Sequence, residues 1–323
     1  MGFKRFFIGV IGIAFFVVGV LYPSLFFLQL GVPRSNTLYI NEWFKVKDKY
    51  AASIRTNKIM IISGSNTLFS VSANTIEKEI GIPTVNYGVH AGLGLQYILW
   101  RAQKHLKKGD IVILPLEYEL YKETIPFGGE YSMYISSFDQ KYFFQLSYIN
   151  KLKFAYSMRF SEIRQGIKEL LFRKEGEIRT GYSDLGLNIN GDIIGNCVEK
   201  SDKSKIKTDM LNKLEINGVL SYDVKKLLDE FISYCGNNKI KVIVTFPAYY
   251  MPFKELKEGQ YTVIDEITQF WLQRRDVVLL STFIDNIYDV NDFYDGNYHM
   301  NDRGRIKRTS QLIKELEFLS KRI

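Results

Sequence analysis

Short apolar runs alternate with segments of helical period along most of this chain of 323 residues. The runs Lys58–Ser63, Pro83–Tyr87 and Asp110–Leu116 predict buried strands, and the segments between them predict helices. The rhythm returns with strand-like runs at Ile240–Phe246 and Val277–Leu280. Because strands separated by helices pair in parallel, the pattern predicts an α/β fold with a parallel sheet of about five strands and helices on both faces.

For two of the predicted helices, the sequence also predicts the ends or the buried face. The segment from Ser72 is predicted to be a helix that Gly81 ends. The C-terminal segment after residue 301 is predicted to form an amphipathic helix. The inward-facing side chains of this last helix are expected to be Ile306, Leu312, Ile313 and Leu316.

The N-terminal segment has a different pattern, since no charged residue occurs from Phe6 to Pro33. About 20 apolar residues cross a bilayer core, so this segment predicts a transmembrane helix. It lacks a small-residue cleavage site near its end, which favours an uncleaved signal anchor, residues 1–33, over a removed signal peptide. Lys4 and Arg5 favour a cytoplasmic N-terminus, although Lys45, Lys47 and Lys49 on the far side weaken that rule. The rest of the chain, outside the cytoplasm, is then a linker and helix at 34–57 and an α/β domain at 58–323.

The strand–helix rhythm is interrupted between about residues 118 and 220, which we interpret as an insertion over the carboxyl edge of the sheet. Ten Tyr and Phe residues occur between Tyr118 and Tyr148. They are interpreted as the core of the insertion, with a sugar-stacking surface as the alternative. A helical stretch follows at 146–172, and then a Gly- and Asn-rich region through Asn196 and a charged run are expected to be loops.

Composition limits the classes of function. The net charge is +8, and residues 301–323 contribute half of it, with seven basic and three acidic side chains. This basic segment is interpreted as a solvated helix face, with contact to anionic headgroups or an acidic polymer as the alternative. The chain lacks zinc-knuckle and Walker-type spacing, so nucleic-acid binding is not expected. Cys197 and Cys235 show no metal-ligand spacing, and Cys235 is interpreted as a core residue.

The candidate chemistry lies at Ser65, in a small-residue turn directly after the first predicted strand. The carboxyl edge of an open α/β sheet is where such folds place ligands and reacting groups. A serine nucleophile needs a base and a group that orients the base. His299, with Asp295 four residues before it, is the expected base; His90 is the alternative, and His105 is expected to be solvated. Nothing in the sequence requires a metal or a cofactor.

Three short motifs together resemble the SGNH, or GDSL-like, hydrolase superfamily. They are Gly64-Ser65-Asn66, Asn86-Tyr87-Gly88 and the terminal Asp295–His299 pair, and the resemblance covers roughly residues 55–121 and 220–323. The stretches VNYGVHAGLGLQY, GDIVILPLEYE and FYDGNYHMN look closest to membrane-anchored, exported members linked to acylation of bacterial cell-surface polymers. The resemblance implies a three-layer α/β/α fold around the parallel sheet.

The resemblance also implies roles for individual residues. Ser65 corresponds to the nucleophile, and the backbone N–H groups of Ser65 and Gly88 to the oxyanion donors, with Asn66 as an auxiliary residue. This chain departs from the family pattern in two places. Where the family has an Asn after the third strand, this chain has Glu117 and Tyr118, of which Tyr118 is the candidate replacement donor. In addition, the family's Asp usually lies three residues before the His instead of four.

The function implied by this resemblance is acyl transfer, with O-acetyl as the expected group, or ester hydrolysis on a cell-surface polysaccharide or glycolipid. A membrane acyltransferase is the implied protein partner. A second hypothesis is a catalytically inactive, SGNH-like glycan-binding or scaffold protein in surface polysaccharide assembly. A third is an unrelated α/β domain such as a nucleotide-dependent glycosyltransferase, for which the glycines at 88, 92 and 94 are the weak signal.

Overall fold

The computed structural model describes residues 2–172, 186–195, 220–251 and 258–320, together with positions 202, 204 and 206. Its strands fall into one five-stranded sheet and three two-stranded pairs. The described strands are β1 (Ile59–Ile61), β2 (Thr84–Asn86), β3 (Ile111–Leu114), β4 (Gly186–Leu187), β5 (Ile193–Ile194), β6 (Lys241–Val244), β7 (Tyr249–Tyr250), β8 (Val277–Leu279), β9 (Ile287–Tyr288), β10 (Phe293–Gly296) and β11 (His299–Met300).

The central sheet confirms the predicted α/β fold with five parallel strands. Its order is β2-β1-β3-β6-β8, and every neighbouring pair of strands is parallel. The first strand of the sheet is β1, and β2 forms next to it. The chain then crosses over to form β3 on the opposite side of β1. The carboxyl ends of β1 and β3 therefore flank the switch point of the sheet, where open α/β folds form their binding crevice.

Helices connect these strands and form the N-terminal part of the chain. A π-helical turn, Val17–Leu21, joins the first two helices. The described helices are α1 (Gly2–Phe16), α2 (Tyr22–Leu28), α3 (Leu38–Ser53), α4 (Ser65–Ser70), α5 (Ala73–Ile80), α6 (Leu95–Gln103), α7 (Gly129–Phe138), α8 (Gln140–Gln145), α9 (Tyr148–Ser157), α10 (Phe160–Phe172), α11 (Tyr222–Asn237), α12 (Glu258–Leu272) and α13 (Asp302–Ser320).

The predicted ends of α5 are confirmed in atomic detail. Ser72 precedes the helix, and its side chain accepts a hydrogen bond from the Thr75 backbone N–H. Gly81 follows it with φ of 76°, in the left-handed region, and donates its N–H to the Glu77 carbonyl. Glycine adopts this conformation without the steric cost that a Cβ atom brings, which is why it ends so many helices.

The C-terminal helix α13 confirms three of its four predicted inward residues. Leu312, Ile313 and Leu316 belong to the core that packs on the sheet. Ile306 does not, because its side chain is 67% exposed. The interpretation of the basic segment as a solvated face is wrong for Arg308, which is buried and donates to Thr245 Oγ1 at 2.8 Å and to the Phe246 carbonyl.

The amino edge of the sheet is held by a buried ion pair between neighbouring strands. Lys58, which precedes β1, places its Nζ 2.5 Å from Asp110 Oδ2, next to β3. The same carboxylate accepts the backbone N–H groups of Lys58 and Lys107 at 3.1 and 2.9 Å. Burial lowers the pKa of Lys58, which the hydrogen bond and charge of Asp110 partly offset. Removing one member of such a pair costs about 3–5 kcal/mol because the other charge is left buried alone.

The chain divides into two compact units. Unit 2 contains residues 42–125 and 182–323 and holds the five-stranded sheet. Unit 1 contains residues 1–41 and 126–181. In unit 1 the predicted helical stretch at 146–172 is broken between α9 and α10. Met158 is extended there, and the Glu162 carboxylate accepts the Arg159 backbone N–H at 2.8 Å, which starts a new helix.

The N-terminal helix of unit 1 is long and apolar enough to cross a membrane. It runs from Gly2 to Leu28 without interruption, over 27 residues. A signal sequence passes the same test of length and composition.

Most of the predicted aromatic core lies farther along unit 1, where Tyr131, Tyr134, Tyr142 and Phe143 are buried.

The Gly- and Asn-rich region that was expected to be a loop contains a small hairpin, β4 with β5, in unit 2. Asp192, just before β5, accepts the backbone N–H groups of Ala73 and Asn74 at 2.7 and 2.9 Å, at the start of α5. The hairpin is therefore attached to the sheet domain by helix capping. Residues 173–185 and 196–200, including Cys197, lie outside the described residues. Cys235 is a free, buried thiol, as expected for a core residue.

The side chain of Lys47, in α3, also binds this hairpin. Its ammonium group is buried, 2.7 Å from the Asn86 carbonyl and 2.6 Å from the Gly191 carbonyl. Burial lowers the pKa of Lys47 to about 7, although the nearby Asp192 and Asp48 carboxylates oppose this shift. A third oxygen, Asn86 Oδ1, lies 3.5 Å from the same nitrogen.

We expect the stability of the protein to rise from pH 7 to pH 9 because of Lys47. Since its pKa is near 7 when folded and near 10.5 when unfolded, the unfolded chain binds more protons in this window. The free energy of unfolding should therefore increase by about 2 kcal/mol over these two pH units, the gain being complete near the unfolded pKa. Denaturant titrations of wild type and Lys47→Met at both pH values test this. Parallel pH dependences of the two proteins would contradict it.

Candidate active site

The turn after β1 presents two serines in different surroundings. Ser63 is buried, whereas Ser65, the first residue of α4, is partly exposed. Between them, Gly64 lies against the backbone of Ala91, so that a Cβ atom at this position would clash with it. The turn is tight because it has no side chain at its centre. Ser65 is thus the accessible hydroxyl at the carboxyl edge of β1.

The carboxylate of Glu117, which follows β3, lies beneath this turn. It is buried and accepts three hydrogen bonds, from Ser63 Oγ, from the Gly64 N–H at 2.9 Å and from the Asn66 N–H at 2.7 Å. Glu117 therefore fixes the backbone on both sides of Ser65. A carboxylate suits this position because it only accepts hydrogen bonds, and all three groups donate.

The loop after β2 packs directly on the start of α4. A Cβ atom at Gly88 would lie within 2.6 Å of Thr67 Cβ and of the Gly64 carbonyl, so only glycine fits. The Gly88 N–H, the predicted oxyanion donor, is buried and donates to Asn86 Oδ1 at a long 3.2 Å. Asn86 is fixed in turn, since its amide donates to the Thr67 carbonyl at 2.9 Å.

His299 and Asp295 form a pair on the hairpin of β10 and β11. His299 Nδ1 lies 2.6 Å from Asp295 Oδ1, and both side chains are largely buried. The carboxylate can only accept, so Nδ1 carries the hydrogen and Nε2 is the basic nitrogen of the neutral ring. The hairpin has irregular register between Phe293 and Gly296, which accommodates the spacing of four residues.

The imidazole ring is also attached to the helix that begins at Ser65. It stacks on Phe69 with a centroid distance of 4.3 Å and an interplanar angle of 17°. Phe69 lies four residues after Ser65, and side chains at this spacing share one face of a helix. The candidate base therefore rests on the same face of α4 as the candidate nucleophile.

Asn66 and Ser70 attach α4 to the residue before His299. Ser70 Oγ donates to the Tyr298 carbonyl at 3.0 Å, and the Asn66 amide donates to the same carbonyl at 3.4 Å. The Asn66 amide also donates to the Ala248 carbonyl, in the loop after β6, at 2.9 Å. Asn66 is thus a positioning residue that joins three loops.

The remaining candidates occupy other places. No hydrogen bond joins the Ser65 hydroxyl to His299 within the part of the chain that the structure describes. His90 caps a short turn, since its Nδ1 accepts the Gly92 N–H at 2.9 Å. Tyr118 is buried among the rings of Tyr249, Tyr298 and Phe283, and its hydroxyl has no hydrogen-bond partner among the described residues. Burial raises its pKa well above the usual value, so it remains a neutral donor.

His105, expected to be solvated, is instead part of a polar cluster. Its Nε2 lies 3.0 Å from Asp48, and Arg101 contacts the same carboxylate at 2.6 Å. Burial opposes ionisation of Asp48, but hydrogen bonds from His105 and Tyr87 and the charge of Arg101 hold its pKa below the usual value. The cluster is a structural ion pair, and the expectation for His105 was wrong. No group of three or more metal-ligating side chains converges in the described ranges.

Together these contacts place an accessible serine, an oriented histidine and a buried carboxylate brace at one edge of a parallel sheet. An oriented imidazole can accept a proton from a hydroxyl and return it to a leaving group. Phe69, Ser63 and Ser70 support the arrangement and were not singled out from the sequence. Comparison of this chain with protein-family models, with curated proteins and with solved structures gives no match.

Proposed function

We propose that this protein is an SGNH-type serine acyltransferase or esterase. One observation carries the proposal: Asp295 orients His299, and the imidazole stacks on the helix whose first residue is Ser65. The strand order supports it, because Ser65 and Glu117 follow the two strands that flank the switch point of the sheet. The three-layer arrangement implied by the family resemblance is part of the same proposal.

The reaction proceeds through an acyl-enzyme. Ser65 Oγ attacks an ester carbonyl while His299 Nε2 takes its proton, and the oxyanion forms near the N–H groups of Ser65 and Gly88. The ester C–O bond then breaks, and His299 protonates the departing alcohol. Water or a sugar hydroxyl next attacks the acyl-Ser65 ester, giving its proton to His299, which returns it to Ser65 Oγ. Attack by water is hydrolysis, and attack by a sugar is transfer.

The proposed acceptor is a cell-surface polysaccharide or glycolipid, and the proposed acyl group is acetyl. The apolar helix Gly2–Leu28 supports this, because retained as an anchor it would hold the catalytic unit close to envelope polymers. In this proposal the N-terminus is cytoplasmic and the remainder lies outside the cytoplasm, next to a membrane acyltransferase that supplies the acyl group.

Covalent labelling tests the catalytic assignment. We expect a fluorophosphonate to form one adduct with the full-length protein in detergent, and peptide mass spectrometry should locate it at Ser65. Ser65→Ala should remove the adduct. Ser310 is exposed in α13, away from these contacts, and provides the matched comparison: Ser310→Ala should still give an adduct on residue 65. A folded protein that gives no adduct, or an adduct elsewhere, would exclude Ser65 as the nucleophile.

A non-catalytic glycan-binding or scaffold protein is the second candidate. Two observations favour it: among the described residues no hydrogen bond joins the Ser65 hydroxyl to His299, and Glu117 stands after β3 where the family has an amide donor. Apo catalytic sites often have such long contacts, which tighten only with substrate. Retained function of Ser65→Ala in surface polysaccharide assembly would select this second candidate.

A further inference from the structure

The inserted helix α9 is attached to the side of the apolar N-terminal helix. Tyr156 Oη donates to the Val18 carbonyl at 2.9 Å, and the Tyr156 ring stacks on Tyr22 with a centroid distance of 5.5 Å and an interplanar angle of 6°. Tyr22 Oη donates in turn to the Met158 carbonyl. These contacts all lie within unit 1 and fix the end of α9 beside residues 18–22.

The last third of the N-terminal helix packs against the rest of unit 1 through one face, whereas the side chains before it are exposed. Phe26 is completely buried and contacts the rings of Phe143 in α8 and Phe154 in α9, with centroid distances of 5.6 and 5.9 Å. By contrast, none of the described side chains from Gly2 to Leu21 is buried. An apolar surface of this length is stable when lipid covers it.

The contacts at Val18 and Tyr22 determine the depth of α9 in a bilayer. If the hydrocarbon core begins at Phe6, just after Lys4 and Arg5, its ~30 Å thickness ends about 20 residues later, near residue 25. Val18 then lies about 10 Å, and Tyr22 about 5 Å, below that boundary. Amphipathic helices that lie in a membrane interface bury their apolar face to a depth of about 5–10 Å.

The outward faces of α9 and α10 have the composition that this depth requires. In α9, the exposed side chains at 148, 149, 152 and 156 are apolar or aromatic and lie on one face of the helix. In α10, the exposed face combines apolar and basic side chains. We call six of the exposed apolar residues of these two helices the apolar platform: Tyr148, Ile149, Leu152, Tyr156, Phe160 and Phe172.

Basic side chains accompany the apolar platform. Lys153, Arg164 and Lys168 are exposed on the same two helices. The acidic residues of this region are engaged inside unit 1: Glu162 is buried, and Glu169 accepts bonds from the Ser35 N–H and hydroxyl at 3.0 and 2.9 Å. Lysine and arginine reach from an apolar face to phosphate headgroups, so the exposed charge complements an anionic leaflet.

We infer that α9 and α10 form a second membrane contact, with the apolar platform immersed in the leaflet from which the helix Gly2–Leu28 emerges. The occupant of this surface is lipid, with preference for anionic headgroups. This inference rests on the proposed membrane anchor and is independent of the catalytic assignment. Unit 1 is then held by one spanning helix and two helices in the plane of the interface, which restrains its tilt and rotation.

A fluorescent probe at single cysteines of the full-length protein tests the inference. Cys197 is replaced by Ser. Cys235 needs no replacement, because it is buried and burial raises its pKa to about 12. The fluorophore NBD is attached at Ile149→Cys or Phe160→Cys, and the protein is reconstituted in vesicles of phosphatidylcholine with phosphatidylglycerol. Ile13→Cys, on the bare part of the N-terminal helix, reports the anchor, and free NBD-cysteine is the aqueous reference.

We expect NBD at positions 149 and 160 to emit at shorter wavelength than the aqueous reference and to be quenched by nitroxide-labelled lipid but not by iodide. The shift should be smaller without phosphatidylglycerol. Iodide quenching at 149 and 160 as strong as that of free NBD-cysteine would overturn the inference if position 13 remains quenched by the lipid. Iodide quenching at all three positions would overturn the anchor as well, while the labelling of Ser65 would still decide the catalytic proposal.

Discussion

His299→Ala is expected to lower the rate of Ser65 acylation by about 10⁴-fold or more, because the hydroxyl then loses the base that accepts its proton. Asp295→Asn should lower the rate by about 10³–10⁴-fold. The amide can donate where the carboxylate only accepts, so it favours the wrong tautomer of the ring. Stopped-flow assays with an activated acetyl ester would measure both rates.

The same Asp→Asn change at an exposed position provides the control. Asp276 lies just before β8, at the opposite edge of the sheet, and its replacement should leave the acylation rate unchanged. Thermal unfolding of each variant shows whether a lower rate reflects chemistry or loss of the fold. If Asp295→Asn acylates Ser65 at the wild-type rate, the 2.6 Å contact has no role in orienting the base.

Glu117→Gln is expected to destabilise the protein by about 2–4 kcal/mol and to reduce labelling of Ser65. The carboxylate accepts three buried hydrogen bonds, and hydrogen bonds to a charged group contribute about 1.5–3 kcal/mol each. The isosteric amide keeps one oxygen but turns an NH₂ group toward the remaining donors. Urea denaturation of the full-length protein in detergent, followed by tryptophan fluorescence, measures the change.

Glu123, an exposed acid in the same loop, is the matched comparison. Glu123→Gln should change stability by less than about 0.5 kcal/mol, as is usual for surface positions. If Glu117→Gln is as stable as the wild type, the Glu117 carboxylate does not stabilise the turn around Ser65. Lost labelling with unchanged stability would also contradict this stabilising role, since that pattern belongs to a group that acts on the substrate.

The strands were predictable because buried parallel strands are nearly continuous apolar runs. The helix α5 was predictable because capping chemistry is local: Ser72 and Gly81 act on residues within one turn. The end of α6 at Gln103 was not predictable, because the sequence stays compatible with a helix as far as Gly109. There, His105 turns to Asp48, a contact between residues far apart in the chain.

In the site, too, local contacts were predictable and contacts between distant parts of the chain were not. The pairing of Asp295 with His299 was expected although their spacing departs from the family pattern, and the contact forms because both residues lie on one hairpin. The role of Glu117 could not be derived from spacing, since it depends on β3 lying beside β1 in the sheet. Lys47 was counted as one of several lysines after the membrane segment. Its burial becomes apparent only when β2 and the hairpin of β4 and β5 enclose it.

The two bonds to the Tyr298 carbonyl have a mechanical consequence. Through Ser70 and Asn66, the hairpin that carries His299 moves with α4, and the stacked Phe69 ring couples them further. Thermal fluctuations of the surrounding loops therefore change the access to this edge of the sheet. They change the distance between the Ser65 hydroxyl and the His299 imidazole less. On warming, access of an acceptor to this edge should therefore increase at a lower temperature than the one at which Ser65 and His299 separate.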